Sequence, residues 1–423
     1  MFFNLIASLA LAAASGGEGS CGCGSTSRRA LGVSGDAAGA ADGGGSCPSG
    51  GPSGDDAGSC SAPPPPSAAA APPGRFPVDG APAPPFRVIR VPAGRTTAGT
   101  VKVKHSYEED VETPPVPWEF PAPFWVDAFE VSNARFAGFV GATGYVSEAH
   151  AFGWSFVHEN ATHPATLATI TQSVKGSEWW VPVPNASWRF PRGLLHGDAL
   201  TSGLAHHPAV HVSKTDGDAF CGWAGGRLPS EAEWEYVAHG GGSAAHSFPW
   251  GDEKGGDKLY VKDADGATVH RANVWQGKFP YDNEALDGAV WTARVDAYGP
   301  QNRWGLYNVV GNAWEWTADE WCPPPGGASL SSRRPLPPDC RRRAPPNGDP
   351  GEVEFVKKGG SFMCHKSFCY RYRVHARHHN TANSGAQNLG LRCVYDKLPV
   401  DPLGGAVEEV VAAKSPRRRR ARE

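Results

Sequence analysis

This 423-residue chain has no excess of charge of either sign: 40 Lys and Arg stand against 43 Asp and Glu, leaving -3. Such a balance offers no field to gather nucleic acid or an acidic membrane, which excludes both classes of partner. No run is apolar for long enough to span a bilayer. No period of about 20 to 50 residues recurs, which excludes solenoids and propellers. With 53 Gly and 39 Pro the chain is loop-rich, but it lacks the strict glycine period of collagen. Between Gly16 and Gly74 the only apolar residues beyond Ala, Pro and Cys are Leu31 and Val33, so that end cannot bury a core.

The composition of the rest is uneven. All 15 Trp lie between Trp118 and Trp321, and residues 76–403 are long enough for a substantial core. At the N-terminus Leu5 to Ala13 is a short apolar run followed by Ala14, Ser15 and Gly16, so residues 1–15 read as a secretory signal peptide. Its first residues, Met1 to Asn4, lack Lys and Arg, and a buried N-terminal strand is the competing reading. The sequons at Asn160 and Asn185 and the 10 cysteines agree with an oxidising compartment and glycosylation. Residues 16–75 read as a disordered Gly/Ala/Ser/Pro tether, 322–350 as a proline-rich surface loop inserted in the folded region, and 404–423 as a basic disordered tail.

Inside the folded part, short capped helices alternate with short strands. Ser132 precedes the spacing Phe136, Phe139, Val140; Ser213 precedes Ala219, Phe220, Trp223, closed by Gly225-Gly226. Ser230 to His239 carries a capping box in Ser230 and Glu233, with Trp234 and Val237 facing inward. Phe86 to Arg90 and Arg392 to Tyr395 read as strands. The expected fold class is α+β: one irregular, loop-rich domain with little regular secondary structure.

Cys364 and Cys369 stand in a segment, Lys357 to Arg373, dense in glycine, aromatic and basic residues. Spacing alone leaves two readings, a structural disulfide or a reactive pair. The basic neighbours His365, Lys366, Arg371 and Arg373 favour thiolates, and two thiolates suit a soft cation such as Cu(I) better than Mg or Ca. Asn308, Gly311, Ala313 and Glu315 form an oxygen-rich spacing that reads as a tight turn around a buried carboxylate or as a site for a hard cation.

Several long motifs, in order, resemble the formylglycine-generating enzyme (sulfatase-modifying factor) family. They are Gly225 to Tyr236 (GGRLPSEAEWEY), Asn273 to Gly277 (NVWQG), Tyr307 to Trp316 (YNVVGNAWEW), Gly359 to Arg373 and Asn388 to Cys393 (NLGLRC). The resemblance runs from about Pro85 to Asp396. It implies the family's C-type-lectin-like fold and a lumenal oxidase of the endoplasmic reticulum, partly secreted. Such an oxidase converts the cysteine of a C-x-P-x-R motif in nascent, unfolded sulfatases to Cα-formylglycine, using O2 and a thiol reductant. It further implies Cu(I) held by Cys364 and Cys369, with the substrate thiolate completing the site. By family position Ser361 is catalytic, and Trp314, Arg373 and Asn388 contact substrate. Ca2+ is implied at Asn273, Val274, Asp287 and Ala289 and again at Asn308, Gly311, Ala313 and Glu315.

One of the family's structural disulfides is matched by Cys221 and Cys393; the positions of the other match Ala238 and Val374, so both partners are missing together. Cys322 and Cys340 have no counterpart, and a local bridge closing the loop is expected. Cys21 and Cys23 match an N-terminal pair that implies thiol exchange with lumenal partners. The competing function is a non-catalytic, sulfatase-binding paralogue of the same fold, which lacks the reactive cysteines; Cys364 and Cys369 speak against it.

Overall fold

The computed structural model describes residues 82–100, 112, 115–241, 246–251, 258–321 and 353–412. The expected signal peptide, the tether with Cys21, Cys23, Cys47 and Cys60, and the 322–350 loop with Cys322 and Cys340 lie outside the described residues. In chain order the elements are β1 (Phe86–Val91), β2 (Gly94–Ala98), β3 (Val116–Phe120), β4 (Phe124–Asp127), α1 (Asn133–Thr143), α2 (Glu148–Phe152), β5 (Trp154–His158), α3 (Pro164–Leu167) and β6 (Trp180–Pro184). There follow α4 (Lys214–Trp223), α5 (Glu231–Ala238), β7 (Tyr260–Lys262), β8 (Thr268–His270), β9 (Trp314–Glu320), β10 (Glu354–Lys358), β11 (Arg377–Thr381), β12 (Leu389–Gly390), β13 (Val394–Tyr395) and β14 (Val407–Val411). Two four-stranded sheets, ordered β13-β4-β1-β14 and β11-β10-β9-β12, organise this α+β domain, and long irregular segments join them. No helix among the described residues is long and apolar enough to cross a membrane.

The helices form where the capping chemistry places them. Ser132 Oγ accepts from Arg135 N at the start of α1, and both α4 and α5 open with full capping boxes, Ser213 with Asp216 and Ser230 with Glu233. An inward stripe is expected in α5, yet all eight residues are buried. Its acids tolerate this because each meets a cation: Glu231 binds Arg377 at 2.8 Å, Glu235 binds Lys358 at 2.8 Å, and Glu233 binds Arg227 at 2.7 Å.

The expected tail is corrected at one point. Val407–Val411 is a strand, pairing in parallel with β1 from Phe86↔Val407 to Arg90↔Val411. Its acids are tied to the same sheet, with Arg87 Nε 3.1 Å from Glu408 and Trp125 Nε1 donating to Glu409 at 2.7 Å.

Cys221 in α4 and Cys393 just before β13 are bridged, with Cα atoms 5.6 Å apart across 172 residues of sequence. Ala238 and Val374, the positions of the missing bridge, are fully buried in one apolar cluster with Trp234, Val309 and Val394. Packing takes the place of the bond there.

Candidate functional site

The sulfur loop leaves β10 through Gly359 and Gly360, whose φ values of 92° and 71° fall in the left-handed region. A Cβ on Gly360 would stand 2.9 Å from Tyr372 N, so the turn also needs the missing side chain for space. The chain then tightens: Cys364 N donates to Ser361 O at 2.9 Å and Cys369 N to His365 O at 2.6 Å. These turns bring Cys364 Sγ and Cys369 Sγ to 2.8 Å. Both sulfurs are buried, while Lys366 and Ser367 between them are exposed. Cys364 keeps its thiol, whereas Cys369 is disulfide-bonded.

Burial pushes the Cys364 thiol up to about 12, against the Ser361 N–H, which points at Sγ from 3.4 Å, and the positive charges of Arg371 and Lys357. Lys357 donates to Asn380 Oδ1 at 2.8 Å and stands 5.2 Å over the Trp314 ring. Burial holds His378 well below its ordinary range, and Arg371 and Lys357 add to that. On the other flank Phe368 stacks on Phe279 with centroids 3.8 Å apart, and Trp179 sets its edge against both rings. Phe368, Phe279 and Trp179 are half-buried, which gives the sulfurs an aromatic border.

Three of the expected residues converge with the sulfurs. Asn388 Nδ2 donates to Ser361 Oγ at 3.0 Å, and Asn388 O accepts from Trp314 N at 2.8 Å. Trp314 packs in the same cluster as both cysteines. Arg373 does not join them in this way: its guanidinium makes two 2.7 Å bonds to the buried carboxylate of Glu112, and its Nε donates to Tyr370 O.

The oxygen sets lie behind the loop. In the first, Asp287 accepts from Val274 N at 3.1 Å, Ala289 N at 3.0 Å and Gln276 Nε2 at 2.6 Å; burial pushes its carboxyl up to about 6. In the second, the expected carboxylate is that of Glu315, but both its oxygens are taken by Arg392, and Oε2 also accepts from Trp234 Nε1. The carboxylate that faces Asn308 is Glu130, which accepts from Asn308 Nδ2 at 3.1 Å, Asn312 Nδ2 at 2.8 Å and Ala313 N at 3.1 Å. Burial and the nearby Glu315 push Glu130 up to about 8. Asn273 Oδ1 and Asn308 Oδ1 are buried without a hydrogen-bond partner. Orphaned oxygens beside a strained carboxyl are the donor type a hard cation satisfies, so both sets fit Ca2+. Glu130 and Asn312 escaped sequence reasoning: Glu130 is 178 residues from Asn308, and no local spacing joins them. Asn160 and Asn185 are both exposed, as a glycan requires.

Comparison with known proteins settles the lineage. The sulfatase-modifying factor enzyme 1-like domain matches residues 78–397. The chain belongs to the sulfatase-modifying factor family. It is 45% identical over 327 residues to a formylglycine-generating enzyme of Bos taurus, covering 77% of this chain and 79% of that protein. It is 44% identical over 277 residues to one of Thermomonospora curvata, covering 66% and 83%. An inactive C-alpha-formylglycine-generating enzyme 2 of Bos taurus is 35% identical over 308 residues, covering 72% and 87%.

Proposed function

We propose that this member of the family is a formylglycine-generating oxidase of the endoplasmic reticulum lumen, acting on the cysteine of a C-x-P-x-R motif in unfolded sulfatases. The observation that carries the reading is the buried sulfur pair, 2.8 Å apart, with Cys364 acted on by an amide N–H, Arg371 and Lys357. Two soft donors in a cationic, apolar setting suit Cu(I) and no hard metal, and Cys364 and Cys369 would hold it. When bound, copper(I) supplies the activation of O2. The overall change balances as one substrate thiol, one O2 and two reductant thiols giving one aldehyde, one hydrogen sulfide, one disulfide and one water.

The chain's own groups have separate tasks. Arg371 and Lys357 favour the thiolate form that burial opposes. Asn388 fixes the Ser361 hydroxyl, and the Ser361 N–H holds Cys364 Sγ in place. The Phe279, Phe368 and Trp179 rings offer an apolar wall to residues flanking the substrate cysteine and limit water at the sulfurs. Two thiolates require the Cys369 disulfide to be opened first, and a thiol reductant is of the class that opens it. Ca2+ at the two oxygen sets would brace the loop from behind.

The similarity to an inactive paralogue keeps a sulfatase-binding role as the rival, and the sulfur pair favours catalysis over it. The test is a C-x-P-x-R peptide incubated with the protein, Cu(I), O2 and a thiol. Aldehyde captured by a hydrazide is the expected result. Peptide binding with the cysteine unchanged would leave the rival standing.

A further inference from the structure

Asn312 is the point at which both oxygen sets and the sulfur loop meet. It is fully buried, with a left-handed φ of 57°, and each of its polar atoms is engaged. Its N–H donates to Asn273 O at 2.9 Å. Its Oδ1 accepts from Asn273 Nδ2 at 3.0 Å and from Ala293 N at 2.8 Å. Its Nδ2 donates to Glu130 Oε2 at 2.8 Å and to Ala293 O at 3.2 Å. Its carbonyl accepts from Phe362 N at 2.9 Å, two residues before Cys364.

We propose that Asn312 is a positioning residue that couples occupancy of both oxygen sets to the rigidity of the sulfur loop. This rests on the calcium reading given above. A cation that engages Asn273 Oδ1 fixes the amide whose Nδ2 bonds Asn312. A cation on Glu130 fixes the carboxylate that Asn312 Nδ2 grips. Both therefore orient one amide plane, and an asparagine with four side-chain bonds cannot rotate without breaking them. Its backbone carries that restraint into Phe362. A second, independent link runs from Trp275 N to Cys364 O at 3.0 Å, so the coupling through Asn312 is read at Phe362 and not at Cys364.

Asn312→Gly is the informative variant, because glycine adopts a positive φ freely and keeps both backbone bonds while deleting the amide bridge. Hydrogen exchange at the Phe362 amide is measured in the full chain with calcium or with a chelator, and calcium binding is measured separately by calorimetry. In the parent, calcium should slow the exchange about tenfold, within the usual range of coupling between sites. In Asn312→Gly, calcium should still bind, and the slowing should fall below about twofold. Equal slowing in both proteins overturns the coupling while leaving the calcium reading intact. Absence of calcium binding to the parent overturns the calcium reading, and the coupling with it. If Asn312→Gly does not fold by circular dichroism, Asp287→Asn replaces it: this weakens one oxygen set and leaves Asn312 whole, so the slowing should shrink, and an unchanged slowing overturns the proposal.

Discussion

The two sulfurs and the oxygen sets behind them are buried and joined by hydrogen bonds, yet they are built from opposite donors. Around Cys364 the polarising groups are cations and an amide N–H; around Asn273, Asp287, Glu130 and Asn308 they are carboxylates and amide oxygens, two of which lack a hydrogen-bond partner. Burial therefore strains the two in the same way, raising the pKa of Cys364, Asp287 and Glu130 alike, and the donor chemistry of each suits a different class of cation. On the reading proposed above, segregated donors would let one fold hold a soft and a hard metal without exchange between them.

Breaking the sulfur side alone should give the largest effect. Cys364→Ser or Cys369→Ser should lower aldehyde formation on the peptide by at least about a hundredfold, since each removes one of only two soft ligands. Thermal stability of Cys364→Ser with and without calcium should match the parent, because Cys364 belongs to no bridge among the described residues. Activity that survives either change would remove the sulfur pair from the chemistry.

Arg373 decides where the sulfur loop ends and the scaffold begins. Family resemblance assigns it to substrate, whereas its guanidinium is closed on Glu112, with both side chains buried. Arg373→Leu leaves an unpaired buried carboxylate and should cost about 3–5 kcal/mol in denaturant unfolding. Glu112→Gln should cost stability in the same direction and leave the peptide KM unchanged. A change in KM with stability preserved would return Arg373 to the substrate side.

That contrast marks what the chain order discloses. Ser132, Ser213 and Ser230 announce their helices because capping is a contact across three residues, and the sulfur loop is legible because Cys364 and Cys369 are close in sequence. The partner of Arg373 lies 261 residues away and that of Asn308 178 residues away, so no local pattern could name Glu112 or Glu130. Glu315 shows the same limit: its spacing after Asn308 suits a cation, and no local pattern discloses that Arg392, 77 residues on, binds its oxygens. The strand Val407–Val411 is absorbed into the basic tail because Glu408 and Glu409 hide its alternation, and its pairing is with the distant β1.

Calcium removal should strike the oxygen side and loosen the sulfur loop at Phe362 while leaving both sulfur donors in place. With calcium at about a hundred times its Kd, a chelator should withdraw about 2.7 kcal/mol of stability for each oxygen set occupied. In the presence of the chelator, copper binding should persist, because its donors are separate. Loss of copper with calcium would mean that the two sites are one.

The smallest effect is expected at the seam between the two regions, where His158 packs against Trp275 with ring centroids 5.8 Å apart. Trp275 follows Val274 of the first oxygen set and donates its N–H to Cys364 O. Burial alone lowers His158 from an ordinary 6.5 to about 3, its Nδ1 accepts from Asn160 N, and its Nε2 has no partner. The fold thus holds the neutral ring, and the unfolded chain binds a proton that the folded one refuses. Stability from this group is complete above about pH 6.5 and is lost as pH falls toward about 3. Near pH 5 the loss should be about 2 kcal/mol. His158→Phe keeps an aromatic ring on Trp275 and removes the titration, so its stability should fall less steeply across this interval. His239, also lowered to about 3 by burial, remains in both proteins and cancels in the difference. Parallel stability profiles of parent and variant between about pH 6.5 and pH 4 would show that His158 takes up its proton without opening the seam.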